Sequence, residues 1–152
     1  MTEEELIKKF ESENITLSPL YKRAAAYIID EIVITFFIFF AFSDVLQTAD
    51  AQNNEALFMA VQYLAPYIIL MKIIYQAFFV WMYGATVGKI AMKIRIISII
   101  DGQKPTMLFS FVRANTRIIS EAIFFIGFLW ALQNFKKQTW EDITARTLVI
   151  NA

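Results

Sequence analysis

Two adjacent carboxyl groups, Asp30 and Glu31, lie inside the apolar run Ala24–Phe42. The run is long enough to cross a bilayer and too apolar for the surface helix of a soluble protein. An Asp near the centre of such a helix costs roughly 2.5–3.5 kcal/mol on insertion scales. A membrane helix carries that cost only where the carboxyls find partners or serve a function. Arg23 precedes Asp30 at i, i+7, two turns away on nearly the same face. Two readings of this pair stand side by side. One is an anchor, in which Asp30 takes a hydrogen bond or charge from Arg23 or from another helix and so fixes helix packing. The other is a proton or cation relay, since a carboxyl in low dielectric can change charge near neutral pH.

Composition supports the membrane reading. The 152 residues are 58% hydrophobic and 16% aromatic, against about 45–50% apolar in an ordinary globular chain. Lys+Arg and Asp+Glu are each 14, so no basic excess points to nucleic acid. Cys and His are absent, which removes disulfides, thiol nucleophiles, imidazole bases and nearly all zinc sites. No metal or cofactor is expected, and the chain does not read as an enzyme. The acidic start, Met1-Thr-Glu-Glu-Glu5, has no cleavable signal pattern, so the first span is expected to act as the insertion signal.

The length fits one domain: a polar segment over 1–17, then a membrane domain over 18–150. Leu6, Ile7 and Phe10 suggest a short amphipathic helix near the start. Hydrophobic segments follow at about 20–43, 56–83 and 118–135. The second has Lys72 near its middle and Pro66 within it. At 1.5 Å per residue it would reach about 42 Å, beyond a hydrocarbon core of roughly 30 Å. It is therefore expected to tilt, to bend at Pro66 or to project into the headgroups. The third is interrupted by Glu121 and Gly127 and either spans or re-enters. The fold class is an all-α polytopic membrane protein with a small cytoplasmic β element.

Between the second and third segments the character is basic. Residues 84–117 carry Lys89, Lys93, Arg95, Lys104, Arg113 and Arg117 against Asp101. Lys93–Ile100 is rich in β-branched residues and Asp101-Gly102 is a turn signal, so a strand and turn are expected there. Thr106–Arg117 reads as an interfacial helix, with Leu108, Phe109 and Val112 opposite Arg113 and Arg117. Basic loops collect on the cytoplasmic side, which puts the N-terminus and this loop there, in a bacterial inner membrane. A tail on that same side would let Thr147–Ile150 pair with Ile94–Ile100 and close both strand edges. The basic loop is expected to meet anionic lipid headgroups.

The assembled residues resemble the RDD family of small membrane proteins. That family is named for an Arg and an Asp in its first helix and a second Asp near its C-terminus. Arg23, Asp30 and Asp142 fill those positions. Gly84-Ala-Thr-Val-Gly-Lys89, the Ile-Ser-Ile-Ile-Asp-Gly102 turn, Arg113 and Trp140-Glu-Asp142 also match in order. Many members have His before the last Asp, where this chain has Glu141. The resemblance implies a transport or ion-exchange role. A non-transporting membrane adaptor or assembly factor is the other reading.

Pairings follow from depth and spacing. Lys72 is expected to face the first span and neutralise Asp30 or Glu31. Glu121 is expected to pair with Arg117 at i, i+4. Asp142 is expected to pair with Arg146, to cap a helix, or to reach Arg113 or Arg23. Gly84, Thr86, Gly88 and Lys89 read as a turn with Thr86 capping a short helix. They are not a phosphate loop, because Ile90 stands where Ser or Thr would hold magnesium. Two or three helices scarcely enclose a pathway, so a homo-oligomer or a membrane protein partner is expected.

Overall fold

Apolar runs with a sparse polar stripe form helices that turn the stripe inward, away from lipid. The computed structural model describes residues 5, 8, 12, 14–48, 54–123, 125–133 and 137–152. Helix α1, Leu20–Ala41, starts after Pro19, whose fixed φ suits the entry. Its buried residues are Arg23, Ala26, Asp30 and Ile34, one stripe at helical spacing. Ile28, Ile32, Phe36 and Phe40 stand exposed on the rest of its surface. A short α2, Ser43–Thr48, follows. Helix α3, Asn54–Tyr83, is one uninterrupted helix with Pro66 inside it. Two helices, Leu20–Ala41 and Phe58–Tyr83, are long and apolar enough to cross a membrane.

Tyr83 leads into a tight turn at Gly84, where φ is +70°. A left-handed backbone favours Gly there, and it aims the Gly84 carbonyl at the Ile96 N–H, 2.7 Å away. Helix α4, Val87–Ala91, and strand β1, Ile94–Ser98, complete this end. Strand β1 pairs antiparallel with β2, Thr147–Asn151, with Ile96 opposite Val149. The chain before α1 covers the other edge of β2. Ser18 N–H donates to Val149 O, and Asn151 N–H donates to Thr16 O. Ala26, Val80, Ile94, Ile96 and Val149 form one buried apolar cluster that joins both spans to the sheet.

The third hydrophobic segment differs from the sequence expectation. It does not begin at Ile118. Helix α5 runs Met107–Ala122, breaks, and α6 resumes over Ile126–Gln133 at an angle of 99°. The two helices pass together as a span only if the bent pair is counted as one. Both ends of the pair lie at the sheet end of the molecule. Before α5, Lys104 Nζ donates to Met82 O at 3.1 Å. After α6, Lys137 O accepts from Arg23 and Gln138 donates to Thr147 O. Helix α7, Trp140–Thr144, then leads into β2.

The amphipathic helix expected here is present as α5, and its charges face inward. In α5 the polar stripe Ser110, Arg113, Arg117 and Ser120 is buried, and Met107, Leu108, Phe111 and Ile119 are exposed. An interfacial helix would show its charges to water. This one turns them into the protein, because acids await them there. The Leu6, Ile7 and Phe10 stripe and Lys136 lie outside the described residues.

Because the chain contains no Cys, single-Cys variants can report on sidedness. Arg95→Cys and Ala152→Cys, both at exposed positions, are expected to react with an impermeant maleimide from one side of sealed vesicles. Asp44→Cys should react from the other. Labelling of positions 95 and 152 from opposite sides would contradict the sheet.

Candidate functional site

Charges brought inside a membrane protein must be neutralised by neighbours, since neither lipid nor bulk water does it. Three knots of polar side chains meet this demand, each tying α1 to a different part of the chain.

Asp142 is the first. Its carboxylate is fully buried and takes charge from two guanidiniums. Arg23 from α1 donates to Oδ2 at 3.0 Å, and Arg113 from α5 donates to Oδ1. Thr139 N–H donates to Oδ2 at 3.1 Å, so Asp142 also caps the start of α7. Arg23 further donates to Lys137 O at 2.6 Å and Val149 O at 3.2 Å, and Arg113 donates to Thr147 Oγ1 at 2.7 Å. Burial alone would raise the Asp142 pKa, but the Arg113 and Arg23 charges outweigh it and hold the carboxyl below its ordinary value. Breaking such a pair from one side typically costs about 3–5 kcal/mol.

Asp30 is the second. It does not pair with Arg23 or Lys72. Three neutral donors surround it: Tyr75 Oη at 2.8 Å, Thr86 Oγ1 at 2.7 Å and Gly88 N–H at 2.8 Å. Thr86 does occupy the N-cap position of α4, but its hydroxyl donates to Asp30 and makes no cap bond. The carboxylate of another helix takes over that role at Gly88. Gly88 has to be Gly, because a Cβ there would run into the backbone carbonyl of Ala26.

The third knot sits deeper along the spans. Lys72 lies 2.9 Å from both Glu31 and Glu121, and Arg117 lies 3.1 Å from Glu121. The Arg117 guanidinium also stacks 4.6 Å over the Tyr27 ring. The order Glu31–Lys72–Glu121–Arg117 thus links α1, α3 and α5. Two small cavities with charged side chains among their walls flank it, of about 40 and 10 Å³, and both are lined by Arg117 and Glu121.

Lys89 departs from its expectation. It is buried and cannot reach headgroups. It lines the larger cavity and forms no ion pair among the described residues. Burial above all, then the Arg117 and Arg113 charges, push its pKa down to about 7, against the pull of Asp30 and Glu141. Asp142 and Arg146 form no pair among the described residues. Gly84 serves as the turn that receives β1.

Sequence reasoning missed Tyr75, Thr139 and Glu141. Tyr75 follows Lys72 at i+3 inside a span, which marks a polar face there. Thr139 gave no signal before α7 was folded against α5, and Glu141 showed only as a departure from the family pattern.

A family model of the RDD family matches residues 17–146, most of the chain. The chain belongs to the RDD family. Of the positions that give the family its name, Arg23 and Asp142 meet in the first knot, while Asp30 anchors the second. With two helices fit to cross a bilayer, this RDD chain is an integral membrane protein. No curated protein and no solved structure gave a match.

Lys89 has a consequence for stability. Its pKa is about 7 when folded and near the ordinary 10.5 when unfolded. Between those values the unfolded chain holds more protons, so stability rises with pH across that window. Unfolding free energy at low ionic strength should climb from pH ~7 towards ~10 in the wild type. In Lys89→Met the Lys89 contribution to that climb should be absent. Parallel curves would place Lys89 in water.

Proposed function

We propose that this RDD protein is a transport component that moves protons, or a cation or small solute coupled to them, through an assembly of copies. The observation that carries this reading is the file Glu31–Lys72–Glu121–Arg117 at the depth of the spans, with a small cavity on each side. Each link joins groups within hydrogen-bond reach, and a carboxyl–amine–carboxyl series can pass a proton by exchanging partners. The side chains of Glu31 and Lys72 keep 29% and 18% exposure on a surface that would otherwise face lipid. A second copy or a membrane partner that covers this face would dry the file and close a route. Among the described residues one chain packs α1, α3 and α5 together and encloses no pathway.

The N-terminus and the sheet would face the cytoplasm of a bacterial inner membrane, following the basic residues there. The bent α5–α6 pair would dip into the bilayer and return on that side. Lys93, Arg95 and Lys104 are exposed and suited to anionic headgroups, at about 1 kcal/mol per side chain. Lys89, Arg113 and Arg117 are buried and do not take part. The protein would act by moving ions, without covalent catalysis and without a cofactor.

A second reading, a membrane adaptor or assembly factor, draws on a different observation. The Asp142 and Asp30 knots are saturated with donors and tie elements together, as a scaffold requires.

The test is flux. Protein in liposomes should dissipate or exploit an imposed pH gradient, and Glu31→Gln should cut the rate by at least about tenfold while the fold persists. Asp30 is the poorer probe, since its loss would unpin α4. Absence of gradient-driven flux from the wild type, with a partner recovered by crosslinking through the Glu31 face, would favour the adaptor.

A further inference from the structure

The larger cavity has an unusual balance of charge. Its walls bring Arg23, Lys89, Arg113 and Arg117 together against Glu121, Glu141 and Asp142. Asp142 is committed to Arg23 and Arg113, and Glu121 to Lys72 and Arg117. Glu141 closes no ion pair among the described residues. The walls therefore hold one cation more than their carboxylates balance. Among the described residues Arg23 Nε and Arg113 Nε, on residues only 6% and 1% exposed, are buried donors without an acceptor, as is Thr139 Oγ1. Buried donors of this kind call for a partner.

We propose that this cavity binds one small monovalent inorganic anion of the halide class, held by Lys89 and the guanidiniums of Arg23 and Arg113 that line it. The volume, about 40 Å³, takes a few water-sized particles. That suits a halide better than a phosphate with its ester arms. Asp30 and Glu141 pull Lys89 towards its charged form, while Arg113 and Arg117 push it the other way. Arg23, Glu121 and Asp142 line the same space. A bound anion would favour the protonated amine, so anion and proton enter together and binding tightens as pH falls. The site does not depend on the transport reading, since an anion there can serve structure alone.

The experiment is chloride-35 line broadening by the full chain in nanodiscs of zwitterionic lipid. At pH ~6 the wild type should give excess broadening that saturates with chloride and is displaced by bromide. It should fall at least about fivefold by pH ~8.5, as Lys89 loses its proton. Lys89→Gln should remove it while the thermal transition persists, and Lys93→Gln, at an exposed site, should retain it. No saturable broadening in the wild type at pH ~6 would overturn the proposal, with water as the filling. Equal broadening in folded Lys89→Gln would place the anion elsewhere and overturn it too. If Lys89→Gln fails to fold, the wild-type pH series decides alone, and a flat series overturns the site.

Discussion

An ionised group inside a membrane protein has to be answered by another, and this constraint organises the whole chain. Isolated burial of one carboxylate costs far more than a small domain can offset. Asp142, Arg23 and Arg113 satisfy one another only if the tail, α1 and α5 meet at one place. The same contact sets β2 beside β1 and closes the chain before α1 onto the β2 edge. Apolar packing then fills in around it, with Val80, Ile96 and Val149 among the most buried residues.

The three knots differ in what they leave free. Asp142 and Asp30 have their oxygens taken by donors on several elements, which fits parts that do not move. Lys72 is shared between two acids, and shared protons and cations are the ones that can be passed on. Lys89 has no ion pair among the described residues and sits where its charge is easily lost. Rigidity thus gathers at the sheet end, and exchangeable charge lies between there and the depth of Lys72. A transporter needs both, and so does a scaffold that senses protons.

Much of this was legible in the sequence. The two long apolar segments announced the spans, because few other structures tolerate such composition. The β-branched residues after Lys93 and the Asp101-Gly102 turn marked β1, and Thr147–Ile150 marked its partner. The Arg23 and Asp142 positions were identifiable through the family pattern. What failed was direction. An amphipathic pattern in α5 says that two faces differ, and it does not say which one meets water. In lipid the charged face turns inward, although the Arg117–Glu121 and Arg113–Asp142 contacts themselves were expected. Asp30 was expected to be held by Arg23 or by another helix, and the second alternative is the one found. Its i, i+7 spacing from Arg23 is local, whereas Thr86, Gly88 and Tyr75 reach it only after α3 and α4 have folded back. The break after Ala122 carries no Pro to announce it, and it follows from chain ends tied to the same sheet.

A double-mutant cycle on Arg23 and Asp142 probes the central contact most directly. Unfolding free energies of the wild type, Arg23→Gln, Asp142→Asn and the double variant, in one mixed-micelle system, give the coupling between the two side chains. A buried charge pair at the junction of α1, α5 and the tail should couple by about 2 kcal/mol or more. Losses that simply add, with coupling near zero, would mean that these two charges do not hold the chain together.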